Sequence, residues 1–467
     1  MKSKLITMKL MAAVAFLAVL GLAASVSAQE DGEAEPAQKA SAGGTLDLEA
    51  ALSHGYLPAN AEKTVHARIQ VRADDVQAKE RAPMNLAVVV DHSGSMSGGK
   101  LQQAKQAAHT LVDRLSEQDR LAVVSYGTNV TVNMDSAFAS EANKEKLHAA
   151  IENIRRHGGT NLAGGFGKGA EIVGQHPTDE SVNRVVLLSD GHANSGQTLQ
   201  MLGQMASEHL EKGVSVSTMG IGLHYNEKLM AEIAKQGAGN YYFVEDEKKL
   251  AEIFGKEFRT LSQAVARDAK LQIDIGPGVE LLALHGFPHK ATDGKVTVNL
   301  GTFYARQHKD LLLDLSVSAR GEKRRDIISA KLAFADVTQD NKRVHSNATL
   351  AAVGTQDSKR LAAVDKPVMR RVEQIVYAQN VDRATDAYEK GQQEQAEKIL
   401  VDQQQRLEKA GKSYGFDDDK IAGKIEELEQ KKSTMKRSRS SNSESGKRLQ
   451  KQSRGKTMDL MQSADAF

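Results

Sequence analysis

An α/β doubly wound (Rossmann-like) domain, inserted in or flanked by an antiparallel β-sandwich and followed by helices, is the fold class predicted by three features of the chain. Between residues 84 and 262, apolar runs alternate with helical periodicity, the pattern of a parallel sheet covered on both faces. Period-two alternation brackets that stretch over 44–82 and 267–354. A Gln- and Glu-rich helical pattern occupies 366–432.

Taken in order, the first 28 residues read as a secretory signal peptide. Lys2, Lys4 and Lys9 form a basic start, Leu10 to Leu22 an apolar core, and Val26, Ser27 and Ala28 a small-residue cleavage site. That core is shorter than the roughly 20 residues a spanning helix needs, and no later stretch reaches that length, so a periplasmic or secreted product is expected. Residues 29–43 are small and polar, the composition of a flexible linker. Val65, Ala67, Ile69 and Val71 then share one face of a strand, and residues 44–82 are expected to pair with 267–354 in one sandwich.

Within 84–262 the spacing predicts strands over 85–90, 121–126, 184–189, 214–220 and 240–244. Helices are predicted from about Lys100 and over 141–155, 162–174, 198–212, 226–236 and 246–264. Beyond it, the runs Leu271, Ile273, Ile275; Val296, Val298, Leu300; and Leu311, Leu313, Leu315, Val317 are strand-like. The helical region is expected to break near Gly391 and Gly411. Residues 433–467 are expected to be a basic disordered tail, with contact to an anionic envelope surface as the functional alternative.

Composition narrows the function. Trp is absent and aromatics make up 4% of the chain, so a stacking platform for sugars or single-stranded nucleic acid is poorly supported. Loss of residues 1–28 would turn the formal charge from +2 to −1, so nothing global points to nucleic acid. The chain has no Cys, which excludes disulfides and a Cys-linked lipid anchor.

The chemistry is concentrated at strand ends. Asp91, Ser93 and Ser95 follow the first apolar strand at a spacing of two, so an extended turn can aim all three at one point, with Gly94 and Gly98 easing the turn. Thr160 lies in a Gly-Gly-Thr-Asn loop between two predicted helices, and Asp190 ends another buried strand. Sites in doubly wound sheets lie at the carboxyl ends of the strands. The five side chains therefore offer oxygen alone at one rim, the preference of hard cations such as Mg2+ and Ca2+.

The segments NLAVVVDHSGSMSG, GGTNL and VVLLSDG resemble, in order, the metal-ion-dependent adhesion site of von Willebrand factor A domains, over about residues 84–262. The resemblance implies that Ser93, Ser95 and Thr160 bind an ion through hydroxyls, and that Asp91 and Asp190 act directly or through water. Neutral hydroxyls would leave the ion's charge under-neutralised and one position to water, which an Asp or Glu of a protein partner could replace. A near-octahedral site that keeps water suits Mg2+, with Mn2+ or Ca2+ as alternatives.

Three other constellations compete and fall short. Gly94, Gly99 and Lys100 fit the opening of a phosphate loop, but Leu101 stands where a Ser or Thr should reach Mg2+. A serine nucleophile elbow fails because Met96 takes the place of its Ser. His92, His157 and His192 lie near the rim without metal-ligand spacing, and read as ordinary loop residues. No catalytic constellation or general base emerges, so a binding or assembly module is expected. A metal-dependent hydrolase, or a chaperone-like subunit of an envelope enzyme complex, is the alternative.

Overall fold

The computed structural model describes residues 38–41, 44–76, 78, 80–176, 180–191, 198–438 and 440–463. The expected signal peptide over 1–28 lies outside them. The chain opens with β1 (Gln38–Ser41), β2 (Leu46–Leu52), β3 (Tyr56–Pro58) and β4 (Glu62–Ala73). The linker expected over 29–43 is corrected in part, because β1 pairs antiparallel with β2 and satisfies an otherwise open sheet edge. In β4 the alternating Val65, Ala67, Ile69 and Val71 are fully buried, as their period of two requires.

The α/β domain follows. It runs through β5 (Met84–Asp91), α1 (Lys100–Arg114), β6 (Arg120–Tyr126), β7 (Val130–Phe138), α2 (Glu141–Glu152) and α3 (Leu162–Gln175). It continues through β8 (Val182–Ser189), α4 (Leu199–Glu211), β9 (Ser215–Ile221), α5 (Glu227–Gln236), β10 (Ala238–Val244) and α6 (Leu250–Leu261). The sheet order is β10-β9-β8-β5-β6-β7, parallel except for β7, an antiparallel edge the apolar pattern did not reveal. Every residue of β5 is buried, with Leu86, Val88 and Val90 packed on one face and Ala87 and Val89 on the other. From β5 the chain moves to β6 on one side and then returns to β8 on the other. That reversal opens a crevice between the carboxyl ends of β5 and β8.

The chain then re-enters the sandwich with β11 (Ala264–Ile275), β12 (Val279–His285), β13 (Lys290–Thr292), β14 (Lys295–Tyr304), β15 (His308–Ser318), β16 (Arg324–Asp336) and β17 (Lys342–Thr355). One sheet has the order β1-β2-β4-β15-β12 and the other β13-β14-β11-β16-β17-β3. Strands from before and after the α/β domain thus share both sheets: β4 pairs with β15, placing Ile69 opposite Leu311, and β3 pairs with β17. Their inner faces form one core that includes Val65, Ile69, Leu271, Val298, Leu313 and Phe334. The α/β domain is an insertion between β4 and β11, held to the sandwich by buried polar contacts. Arg184 on β8 donates to the Tyr304 hydroxyl at 2.5 Å, and Arg267 donates to the Ser181 carbonyl at 3.1 Å.

Helices α7 (Ser358–Ala362), α8 (Lys366–Glu389), α9 (Gln393–Tyr414), α10 (Asp418–Arg437) and α11 (Glu444–Gln462) complete the described chain. The break expected near Gly391 is present, with Gly391 at φ 75°. The one expected near Gly411 is displaced to Gly415, whose φ of 65° supplies the left-handed cap of α9. The disordered tail expected over 433–467 is corrected, since α10 runs into it and α11 lies within it. Composition misled because most basic residues of α11 have acidic partners. Arg454 meets Asp382 at 3.1 Å, Arg448 meets Glu245 at 2.6 Å, and Lys451 meets Glu227 at 2.7 Å. Leu449 and Leu460 join the apolar cluster of the other helices. Among the described residues no helix is long and apolar enough to cross a membrane.

The docking of α11 makes a direct prediction. Leu460→Ala should destabilise the helical region by about 2–5 kcal/mol, the usual cost of a buried Leu truncation. Urea unfolding followed by far-ultraviolet circular dichroism measures this, and an unchanged midpoint would mean that the tail does not pack.

Candidate metal site

The geometry begins where β5 runs out. Asp91 is wholly buried, and its Oδ1 accepts a hydrogen bond from the Ser93 amide at 2.8 Å, turning the chain back across the strand end. The Met96 amide then donates to the Ser93 carbonyl at 3.1 Å. Gly98 and Gly99, at φ 69° and 98°, complete a turn that side-chain-bearing residues rarely adopt, and α1 starts immediately after. Next to β5, strand β8 ends with Ser189, followed by Asp190, and the Ser189 hydroxyl donates to Asp91 Oδ2 at 3.0 Å. Both oxygens of Asp91 are therefore fixed by short-range donors.

A second chain of contacts crosses the crevice. The Ser95 hydroxyl donates to Asp190 Oδ1 at 2.7 Å and lies 2.9 Å from the Ser93 hydroxyl. Thr160 arrives on a separate loop that is tied down by backbone. The Gly94 amide donates to the Gly158 carbonyl at 3.0 Å, His157 to the His92 carbonyl at 2.7 Å, and Asn161 to the Gly127 carbonyl at 2.7 Å. Gly191 leaves a small cradle between these groups. A Cβ there would stand 3.1 Å from Ser95 Oγ and 3.5 Å from Thr160 Oγ1. All five predicted oxygen-bearing residues are thus placed around one crevice, with Asp91, Ser93, Thr160 and Asp190 buried and Ser95 exposed at its mouth.

The electrostatics are under tension. Burial pushes the Asp91 carboxyl up to about 6, helped by the negative charge of Asp190 and opposed by hydrogen bonds from Ser93 and Ser189. Tyr126 lies fully buried nearby, where burial and the two carboxylates hold its phenol well above the ordinary range, and its hydroxyl donates to the Leu188 carbonyl at 2.7 Å. One cation is already present: the Lys100 ammonium lies 2.6 Å from Asp190 Oδ2.

The donor set fits a hard divalent cation: two carboxylates, three hydroxyls, and a cradle that a single methyl group would fill. A softer metal has less to use here. Among the described residues no group of three or more His, Cys, Asp or Glu could hold a metal ion, so hydroxyl oxygens would have to complete the set here. The His92 ring is half-buried, with its pKa lowered by burial, and its Nδ1 has no hydrogen-bond partner among the described residues. His157 is exposed, and His192 lies outside the described residues. The sequence pattern missed three contributors: Ser189, which orients Asp91; Gly191, which leaves the cradle; and Lys100, weighed only as a phosphate-loop lysine. The adjacency of Ser189 and Gly191 to Asp190 was the available signal for the first two.

Residues 85–256 match the von Willebrand factor type A domain family. The protein YfbK of Escherichia coli (strain K12) is 30% identical over 302 residues, covering 61% of this chain and 51% of that protein. The chain therefore spans about half the length of that curated relative. Among solved structures, a von Willebrand factor type A protein from Catenulispora acidiphila aligns with a TM-score of 0.68 at 16% identity, covering 84% of this chain and 90% of that one. The ArnB paralog VWA2 from Sulfolobus acidocaldarius aligns with a TM-score of 0.60 at 17% identity, covering 89% and 98%. These coverages extend well past the matched domain, so the fold of the sandwich and insert together recurs in other proteins.

Two predictions follow from the tension at Asp91 and from the cradle. With divalent ions chelated, the folded state holds the Asp91 proton more tightly than the unfolded chain does. Stability should therefore fall as pH rises from about 4 to 6, by up to about 3 kcal/mol for a shift of this size. Asp91→Asn should flatten that segment of the urea-unfolding profile, and an unchanged slope would contradict the assignment. Gly191→Ala should lower Mg2+ affinity at least about tenfold by calorimetry with little change in thermal unfolding, because the added methyl group meets hydroxyls rather than backbone.

Proposed function

We propose that this chain, which carries a von Willebrand factor type A domain over residues 85–256, is an exported binding or assembly protein that captures an acidic side chain of a protein partner at a divalent-cation site. Asp91, Ser93, Ser95, Thr160 and Asp190 would hold the ion, Mg2+ before Mn2+ or Ca2+. When bound, the ion would supply an exchangeable position for a carboxylate. The observation that carries this reading is the convergence of Ser93, Ser95 and Asp190 in one chain of 2.9 and 2.7 Å contacts, with Asp91 fixed beneath it.

The chain's own residues do the preparatory work. Asp91 and Asp190 bring the negative charge, and burial keeps water from screening it. Ser93 and Ser95 bring neutral oxygens, so the ion would be held without further carboxylates and would keep an attraction for an incoming one. Ser189 and the Ser93 amide fix the orientation of Asp91, which limits the reorganisation needed on binding. Ser95 lies at the open mouth, where a partner side chain can approach. Export rests on the leader pattern over 1–28, and assembly on the expectation that sandwich and helices hold the site at a fixed orientation.

Calorimetry on the full chain tests the site. Mg2+ should bind to the wild type, and Ser95→Ala and Asp190→Ala should each weaken it at least about tenfold while leaving the circular dichroism spectrum intact. Undiminished affinity in either variant would overturn the site. Turnover of a phosphoester or peptide substrate that disappears in Asp190→Ala would replace the binding reading with the hydrolytic one.

A further inference from the structure

We propose that Lys100 is an internal counter-ion that competes with the divalent cation for Asp190 and sets the charge of the loaded site. This rests on the cation-site reading above. Lys100 is the first residue of α1, delivered by the Gly98–Gly99 turn. Its ammonium lies 2.6 Å from Asp190 Oδ2, with Asp190 wholly buried and the lysine side chain 22% exposed, so water screens the pair only in part. The same nitrogen lies 3.5 Å from the Ser95 carbonyl. The loop after β9 also comes close, since a Cβ on Gly222 would stand 3.7 Å from that nitrogen. The ammonium is therefore bordered by the Ser95 turn, by Asp190 after β8 and by the loop after β9.

Asp190 divides its two oxygens between unlike partners. Oδ1 accepts the Ser95 hydroxyl and Oδ2 accepts the ammonium. With Asp91 and Asp190 ionised, Lys100 brings the cluster from two negative charges to one. Two consequences follow from charge alone. A divalent cation entering the site meets both a competitor for Asp190 and a like charge beside it, so its affinity is lower than the five oxygens would otherwise give. Once loaded, the cluster carries one net positive charge rather than none, which selects an anionic partner group over a neutral one of the same shape. A lysine that merely braced the loop would act in the opposite direction, because its removal would loosen the donors and weaken the ion.

The test is Mn2+ titration of the full-length wild type, Lys100→Gln and Lys100→Arg, with circular dichroism as the check on folding. Lys100→Gln should bind Mn2+ at least about tenfold tighter than wild type, and Lys100→Arg should stay within a few-fold of it. Water-proton relaxation of the Mn2+-loaded proteins supplies the second readout. Acetate should quench the signal of wild type at several-fold lower concentration than that of Lys100→Gln, while acetamide separates the two proteins little. Equal or weaker Mn2+ binding by Lys100→Gln overturns the proposal and leaves the cation site standing. Binding by neither protein overturns the cation site itself.

Discussion

Two carboxylates that end neighbouring parallel strands, both shut away from water, set the terms for the rest of this molecule. Asp91 and Asp190 reach the same rim because β5 and β8 pair in register, Val90 opposite Leu188, at the point where the chain reverses its direction of progress across the sheet. Burying like charges side by side is costly: burial first, and then the neighbouring Asp190 charge, push the Asp91 carboxyl up to about 6. Much of the local architecture answers it. Ser93 and Ser189 donate to one carboxylate, Ser95 and Lys100 to the other, and Tyr126 closes the floor below. A further cation would complete what these neighbours only begin.

The sandwich and helices hold that strand pair in place. On β8, five residues before Ser189, Arg184 spans the domain boundary, bonding Ser217 on β9 at 2.8 Å and Tyr304 of the sandwich. Ser217, Asn240 and Tyr242 all donate to the buried Glu257, which lies 3.8 Å from Arg184. A buried polar network of this kind favours one arrangement of strands, since a slip would part the Arg184 and Glu257 charges from their partners. On the other side, α11 grips the loop that follows β9. Lys451 donates to the Tyr225 carbonyl at 3.1 Å and to Glu227. Gly222 in that loop also borders Lys100, so the last described helix and the candidate site share a neighbouring loop.

The legible part of the structure was the part written as local pattern. Apolar runs located the parallel strands, period-two alternation located the sandwich, and the strand-end oxygens of Asp91, Ser93, Ser95, Thr160 and Asp190 were readable because parallel sheets put functional loops at one edge. What stayed hidden depended on partners remote in sequence. The basic residues of α11 resemble a solvated tail until Asp382, Glu245 and Glu227 are brought opposite them. Lys100 resembles a phosphate-loop lysine until Asp190, ninety residues later, comes within 2.6 Å of it. The edge strand β7 carries no buried residue, and its sequence lacks the apolar run that marked its neighbours.

The proposed function requires the five oxygen-bearing side chains to converge on one divalent cation. Anomalous diffraction from crystals soaked in Mn2+ locates the ion. A single strong anomalous peak enclosed by Asp91, Ser93, Ser95, Thr160 and Asp190 is expected, together with its loss from crystals of Asp190→Ala. A peak elsewhere on the chain, with this crevice empty at saturating Mn2+, would contradict it.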